Sequence, residues 1–383
     1  MKDHLKICVY AICKNESKFI DRWVDSLKDE ADCVVVLDTG STDDSVEKLQ
    51  SYAPFVTVKQ YDYFKELGYF RFDKARNDSL KLVPFDADIC AVFDLDQVPR
   101  KGWADIVRKK FQEGFKEVRG YIIDHHPDTG VELNRWNSRN VHPNSSHWFW
   151  TKIIHEGIEF YKKDSDSMEN SVVFCEDFVI DHFPDEKKDR TLYKKLLEYA
   201  TKEYPKDPYY GIYLGIELSR RYSKEDAANA FRRCLKECDF KDDKDIQYQC
   251  YINLGVITND HEESLDCLLK AKALGYKTRR LYKALADTYE NLERYDDAIN
   301  TLYEAIDTVQ NYSGDWKDDK MYFGGYMEDR LSLIYYYHKN DYLKAIECCS
   351  QALAKSGNDP RIINNLKFYY DKYLESLVKK GTE

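Results

Sequence analysis

Cys33-Val34-Val35-Val36-Leu37-Asp38-Thr39-Gly40-Ser41-Thr42-Asp43 passes from a short apolar, β-branched run straight into a turn built of Asp, Gly, Ser and Thr. The run is too short for a buried helix and has the composition of a strand buried on both faces. The turn supplies residues that cap a helix starting near Asp44. The same grammar recurs on either side. Ile7 to Ile12 reads as a buried strand, and Phe19 to Leu27 as a helix with Phe19, Ile20, Trp23, Val24 and Leu27 at three-to-four spacing. Val56 to Gln60 is a third strand, and Ile89 to Phe93 a fourth that runs into Asp94-Leu95-Asp96. Strands alternating with helices predict a Rossmann-like α/β domain with a mostly parallel sheet, and in such sheets ligands lie beyond the carboxyl ends of the strands. Three polar motifs follow such ends here.

The chain of 383 residues is about twice the usual domain length, so two domains are expected, over residues 1–190 and 191–383. Hydrophobic residues at 43% exclude a disordered chain. A net charge of −11 argues against binding nucleic acid as a main task, because that affinity rests on neutralising phosphates. The first residues are too short a lead-in for a signal-peptide core, and no run of eighteen apolar residues occurs. Eleven cysteines without a Cys-x-x-Cys pair read as reduced, mostly buried thiols in a cytoplasmic setting. The Asn-x-Ser sequons at Asn15, Asn77, Asn144 and Asn311 carry little weight in that setting.

From Gly120 to about Phe183 the chain carries six of its nine histidines and reads as irregular strands and loops that complete a site. Beyond Asp185 the texture turns to long helical periodicity. Leu214-Gly215, Leu218, Ala227, Phe231 and Cys234 match the spacing of Leu285-Ala286, Tyr289, Ala298, Leu302 and Ala305. Weaker copies run through Leu254-Gly255 and through Tyr336, Ala345, Cys349 and Ala352. This period resembles the tetratricopeptide repeat, whose small residues let paired helices approach and whose hairpins stack into a solenoid. The alternative is a generic helical bundle.

Cys13-Lys14-Asn15-Glu16, Asp38-Thr39-Gly40-Ser41-Thr42-Asp43, Ala75-Arg76-Asn77 and Asp94-Leu95-Asp96, in that order, resemble the family 2 glycosyltransferases of GT-A fold. More specifically, they resemble the branch joined to tetratricopeptide repeats, which includes peptide S-glycosyltransferases acting on bacteriocin precursors. The resemblance implies a nucleotide diphosphate sugar as donor, uridine-linked, and Mn²⁺ or Mg²⁺ as cofactor. It places Asp38 at the base, Glu16 near the ribose, Arg76 at the base or phosphates, and Asp94 and Asp96 on the metal and donor. Two carboxylates one residue apart at a strand end suit a hard cation that neutralises the departing diphosphate. The segment Trp150 to Gly157 looks like the one that returns to the site in this branch, with His155 as the third metal ligand; His182 is a weaker candidate. Where the branch often shows Asp-Ala-Asp-Glu, this chain has Asp94-Leu95-Asp96-Gln97, which lowers cation affinity modestly.

An inverting displacement needs a base within hydrogen-bond reach of the acceptor. Asp124, Glu156 and Asp181 stay open for this role, since the pair Glu176-Asp177 sits late for the Glu-Asp of many family members. The repeats are expected to present a protein or peptide acceptor, to build a homodimer, or both. Two other functions compete: a non-catalytic repeat scaffold with a degenerate nucleotide-sugar domain, and a nucleotidyltransferase, which lacks here its usual glycine- and lysine-rich phosphate loop.

Overall fold

The computed structural model describes residues 2, 4–126, 129–161, 171–185, 191–241, 243–311, 320–357 and 359–380. The chain divides into two compact units, residues 1–192 and 193–383.

In the first unit the strands are β1 Ile7–Cys13, β2 Cys33–Asp38, β3 Val56–Gln60, β4 Ile89–Val92, β5 Gln97–Pro99, β6 Glu117–His125, β7 Glu132–Asn137, β8 Val141–Pro143, β9 Trp148–Thr151, β10 Gly157–Phe160 and β11 Val172–His182. The helices are α1 Ile20–Leu27, α2 Ser45–Gln50, α3 Tyr63–Leu67, α4 Phe72–Leu80 and α5 Trp103–Gln112. One sheet runs β3-β2-β1-β4-β8-β6-β11-β5, with β7 paired to β6. The pairs β3/β2, β2/β1, β1/β4 and β6/β11 are parallel. Since β8 is antiparallel to both β4 and β6, six strands of this sheet point the same way. β9 and β10 form a separate antiparallel hairpin.

The four first strands form as their composition dictates: β1 and β2 are buried almost throughout, as expected for strands covered on both faces. α1 buries Ile20, Trp23, Val24 and Leu27 against one face. Trp148, Trp150 and Ile158 of the hairpin help cover the other, with Tyr10, Cys90 and Val92.

The second unit is an array of paired helices. It contains α6 Thr191–Glu203, α7 Pro208–Arg221, α8 Lys224–Glu237, α9 Lys244–Ile257, α10 His261–Ala273, α11 Arg279–Asn291, α12 Tyr295–Thr308, α13 Tyr326–Tyr337, α14 Tyr342–Ser356 and α15 Pro360–Lys380. Short loops end in side-chain caps: Ser223, Asp243, Asp260, Thr278 and Asp341 each accept a bond from a first-turn amide. The small residues sit where helices touch. A Cβ on Gly215 would lie 2.5 Å from Phe231 Cζ, and one on Gly255 2.7 Å from Leu268 Cγ. No described helix is long and apolar enough to cross a membrane, and all eleven cysteines are free thiols.

Candidate active site

The carboxyl ends of β1, β2, β4, β6 and β11 share one rim of the sheet, and each is followed or closed by a residue singled out from the sequence. Behind β1 the chain turns through Asn15 at φ 56°, a left-handed conformation that Asn tolerates. Asn15 Oδ1 accepts from Thr42 N at 2.7 Å, and Ser41 Oγ accepts from Asn15 N at 2.9 Å. Ser45 Oγ accepts from Glu16 N at 2.9 Å. The two motif loops are therefore laced into one surface, with Glu16 buried within it.

Asp38 is 1% exposed. Its Oδ1 accepts from Gly40 N and Ser41 N, both at 3.1 Å, and its Oδ2 accepts from Ser41 Oγ. Both carboxylate oxygens thus serve their own turn, and a ligand reaching Asp38 has to share or displace Ser41. Asp43 Oδ1 accepts from Ser45 N at 3.1 Å, the capping role its position suggests.

Arg76, on α4, is buried between two carboxylates. Its Nη1 lies 2.5 Å from Asp94 Oδ1 and its Nε 3.0 Å from Glu156 Oε1, while the guanidinium stands 5.3 Å over the Trp150 ring. Burial pulls its proton affinity down, but Asp94 and Glu156 outweigh that and hold it above its ordinary value. Next to it, Asn77 makes two bonds to one residue of β9: its Nδ2 donates to Trp150 O and its Oδ1 accepts from Trp150 N, both at 2.8 Å. The sequon at Asn77 is thereby occupied structurally. Asp94 N donates to Gln97 Oε1 at 3.2 Å, so the residue that departs from the expected acid closes the Asp94–Gln97 turn.

The far side of the rim is set by strand register. β11 aligns His182 with Asp124 of β6 and with Gln97 of β5. His182 therefore stands between Asp124 and Asp96, with Nδ1 2.6 Å from Asp124 Oδ1 and Nε2 3.4 Å from Asp96 Oδ2. Burial alone would disfavour the imidazolium, yet the two carboxylates raise its pKa to about 10. The His182 ring therefore faces Asp96. His155 occupies the turn between β9 and β10 at φ 53°, two residues after the fully buried Ile153 and next to Glu156.

The three base candidates have different surroundings. Asp181 receives two bonds of 2.8 Å from Arg100 and faces His125 Nε2 at 2.7 Å. Burial works against ionisation, but these partners keep its carboxyl below the usual range. Glu156 is held by Arg76, and Asp124 by His182. Other flanking residues have structural tasks. Arg139 pairs with the buried Glu117 at 3.0 Å, at the start of β6, away from the rim. Trp148 and Trp150 belong to the core. Trp150 Nε1 donates to the hydroxyl of Tyr10, which faces His142 Nε2, both at 3.0 Å.

Among the described residues, no three His, Cys, Asp or Glu side chains are arranged as a ready-made metal cage. Asp94, Asp96 and His182 nevertheless bring carboxylate oxygens and an imidazole to the same rim, ligand types that suit a divalent ion.

Residues 8–178 match the family model described as glycosyl transferase family 2. The first unit accordingly carries a glycosyl transferase family 2 domain over those residues. No curated protein matches the sequence. The solved structures found to be similar include MamA from Desulfovibrio magneticus RS-1, at 18% identity, TM-score 0.35, over 43% of this chain and 86% of that one. A thermophilic TPR protein of Thermus thermophilus is 16% identical at TM-score 0.32, over 47% and 89%. Pseudomonas aeruginosa pilF is 17% identical at TM-score 0.34, over 47% and 72%.

Proposed function

We propose that the protein is a glycosyltransferase, which transfers a sugar with inversion from a nucleotide diphosphate sugar, uridine-linked, to a protein or peptide acceptor. The observation that carries the reading is the single rim on which Glu16, Asp38, Arg76, Asp94, Asp96, Asp124 and His182 converge at the carboxyl ends of parallel strands. Asp38 and Glu16 face the nucleoside, and Arg76 offers a planar cation to the phosphates or base. Asp94 and Asp96 would hold Mn²⁺ or Mg²⁺, with His155 or His182 as the imidazole ligand. When bound, that ion supplies positive charge to the departing diphosphate.

Asp124 is the base this arrangement favours. Glu156 and Asp181 are each paired with an arginine, which keeps its charge throughout, whereas Asp124 is paired with His182. The helical array is the surface for the acceptor, since stacked hairpins leave a continuous groove suited to an extended chain.

Thermal unfolding of the purified protein with a panel of nucleoside diphosphates and their sugars, with Mn²⁺ and with chelator, tests the donor reading. Metal-dependent stabilisation by one nucleotide, lost in Asp96→Ala, is the expected result. No stabilisation by any nucleotide contradicts it and favours the scaffold.

A further inference from the structure

The β9–β10 hairpin carries Glu156 and the His155 turn to the rim, yet neither of its strands pairs with the main sheet. Trp150 lies opposite Ile158 in the hairpin. Its amide and carbonyl point away from that partner, toward α4, and Asn77 meets both at 2.8 Å. The side-chain amide thus replaces the strand that would otherwise complete β9 at this point. A second backbone bond, Phe72 N to Ile153 O at 2.9 Å, ties the start of the same helix to the far end of the segment. Between these ties and Glu156 the chain makes a tight turn with two non-glycine residues in left-handed backbone, Lys152 at φ 74° and His155 at φ 53°. Such conformations persist only where the surroundings fix them, and they cluster at sites that bind ligands.

We infer that Asn77 is a positioning residue: it clasps the β9–β10 hairpin to α4, and so fixes Glu156 against Arg76 and the 152–156 turn over the donor site. The two functions sit on adjacent residues of one helix. Arg76 reaches Glu156 from the same turn of α4 that presents Asn77 to Trp150. A slip of the hairpin along α4 changes both contacts together, and frees the guanidinium that otherwise faces Asp94. The clasp needs one donor and one acceptor at the end of a short side chain, which only Asn supplies at this length. Asp keeps the shape and the acceptor but turns a carboxylate toward the Trp150 carbonyl. Once protonated, it can donate again.

This role rests on reading the rim as a donor site, and the test separates the two. Hydrogen exchange across residues 148–156 is compared in the wild type, Asn77→Ala and Asn77→Asp over a series of pH values. Binding of uridine diphosphate with Mn²⁺ is measured in parallel. At neutral pH both variants should exchange the Trp150 amide faster by on the order of tenfold, and should bind the nucleotide more weakly than the wild type. As pH is lowered, Asn77→Asp alone should recover both properties relative to the wild type at the same pH. A purely structural loss would show no such recovery. Unchanged exchange in Asn77→Ala overturns the clasp, and a loosened hairpin with unchanged nucleotide affinity overturns the positioning role. A wild type that binds no nucleoside diphosphate strikes at the donor reading, while exchange still decides whether the clasp exists.

Discussion

His142 shows how a polar chain buried behind the site restricts the pH range of the fold. The side chain is 1% exposed. Its Nδ1 faces Pro143 O at 2.9 Å, so this nitrogen carries the proton, and Nε2 accepts from Tyr10, which in turn accepts from Trp150. Every group is satisfied with a neutral ring. Burial accordingly depresses the pKa from 6.5 to about 4. In the unfolded chain the ring takes up a proton near pH 6.5, whereas the folded one does so only near 4. Stability is therefore lost as pH falls through that window, by up to roughly 3 kcal/mol at its lower end. Denaturation between about pH 7 and 4 should show this slope, and His142→Phe should flatten it. Arg76 gives a second residue-scale expectation. Arg76→Met leaves the partly buried Glu156 carboxylate without its cation, which should destabilise the first unit by roughly 1–3 kcal/mol. Arg76→Lys restores charge but cannot span Asp94 and Glu156 with a planar fork, so nucleotide affinity should stay low in both variants. Lysine restoring full affinity would mean that only the charge matters.

At the scale of elements, small residues decide whether helices can pair. Replacing an unhindered helical glycine by alanine gains up to about 1 kcal/mol in helix propensity. At Gly215 the new Cβ meets the Phe231 ring at 2.5 Å, and overpacking costs about 1–3 kcal/mol. The second effect wins, so Gly215→Ala should lower the denaturation midpoint of the helical unit. Gly255→Ala should act in the same direction, because its Cβ meets Leu268 Cγ at 2.7 Å and the Ser264 carbonyl at 3.2 Å. These positions were legible in the sequence because the repeat spacing is local. So were the first four strands, whose apolar runs are bounded by turn residues, and the rim motifs that follow three of them. What the sequence did not disclose depends on register between distant strands. β5 and β8 are three residues long and β7 is largely exposed, so none has a hydrophobic pattern to read. That the His182 ring meets both Asp124 and Asp96 was hidden, because nothing local says that β11 pairs with both β6 and β5. The task of Asn77 was equally hidden, since its partner lies 73 residues away.

For the whole molecule, the two units have separate cores: one around Val9, Trp23, Phe93 and Trp103, the others around residues such as Phe231, Leu268 and Leu302. Two such units need not unfold in one step. Calorimetry should resolve two transitions, and the variants already described assign them: Arg76→Met lowers the catalytic one and Gly215→Ala the helical one. A donor nucleotide with Mn²⁺ stabilises only the unit that binds it, by about 2.7 kcal/mol at a hundred times its dissociation constant. It should therefore raise the transition that Arg76→Met lowers and leave the other in place. A peptide acceptor held by the repeats should do the reverse, raising the transition sensitive to Gly215→Ala. If the nucleotide instead moves both transitions together, the units fold as one cooperative body, and ligand at the rim is felt throughout the array. If it moves only the helical transition, the donor site has been placed in the wrong half of the chain.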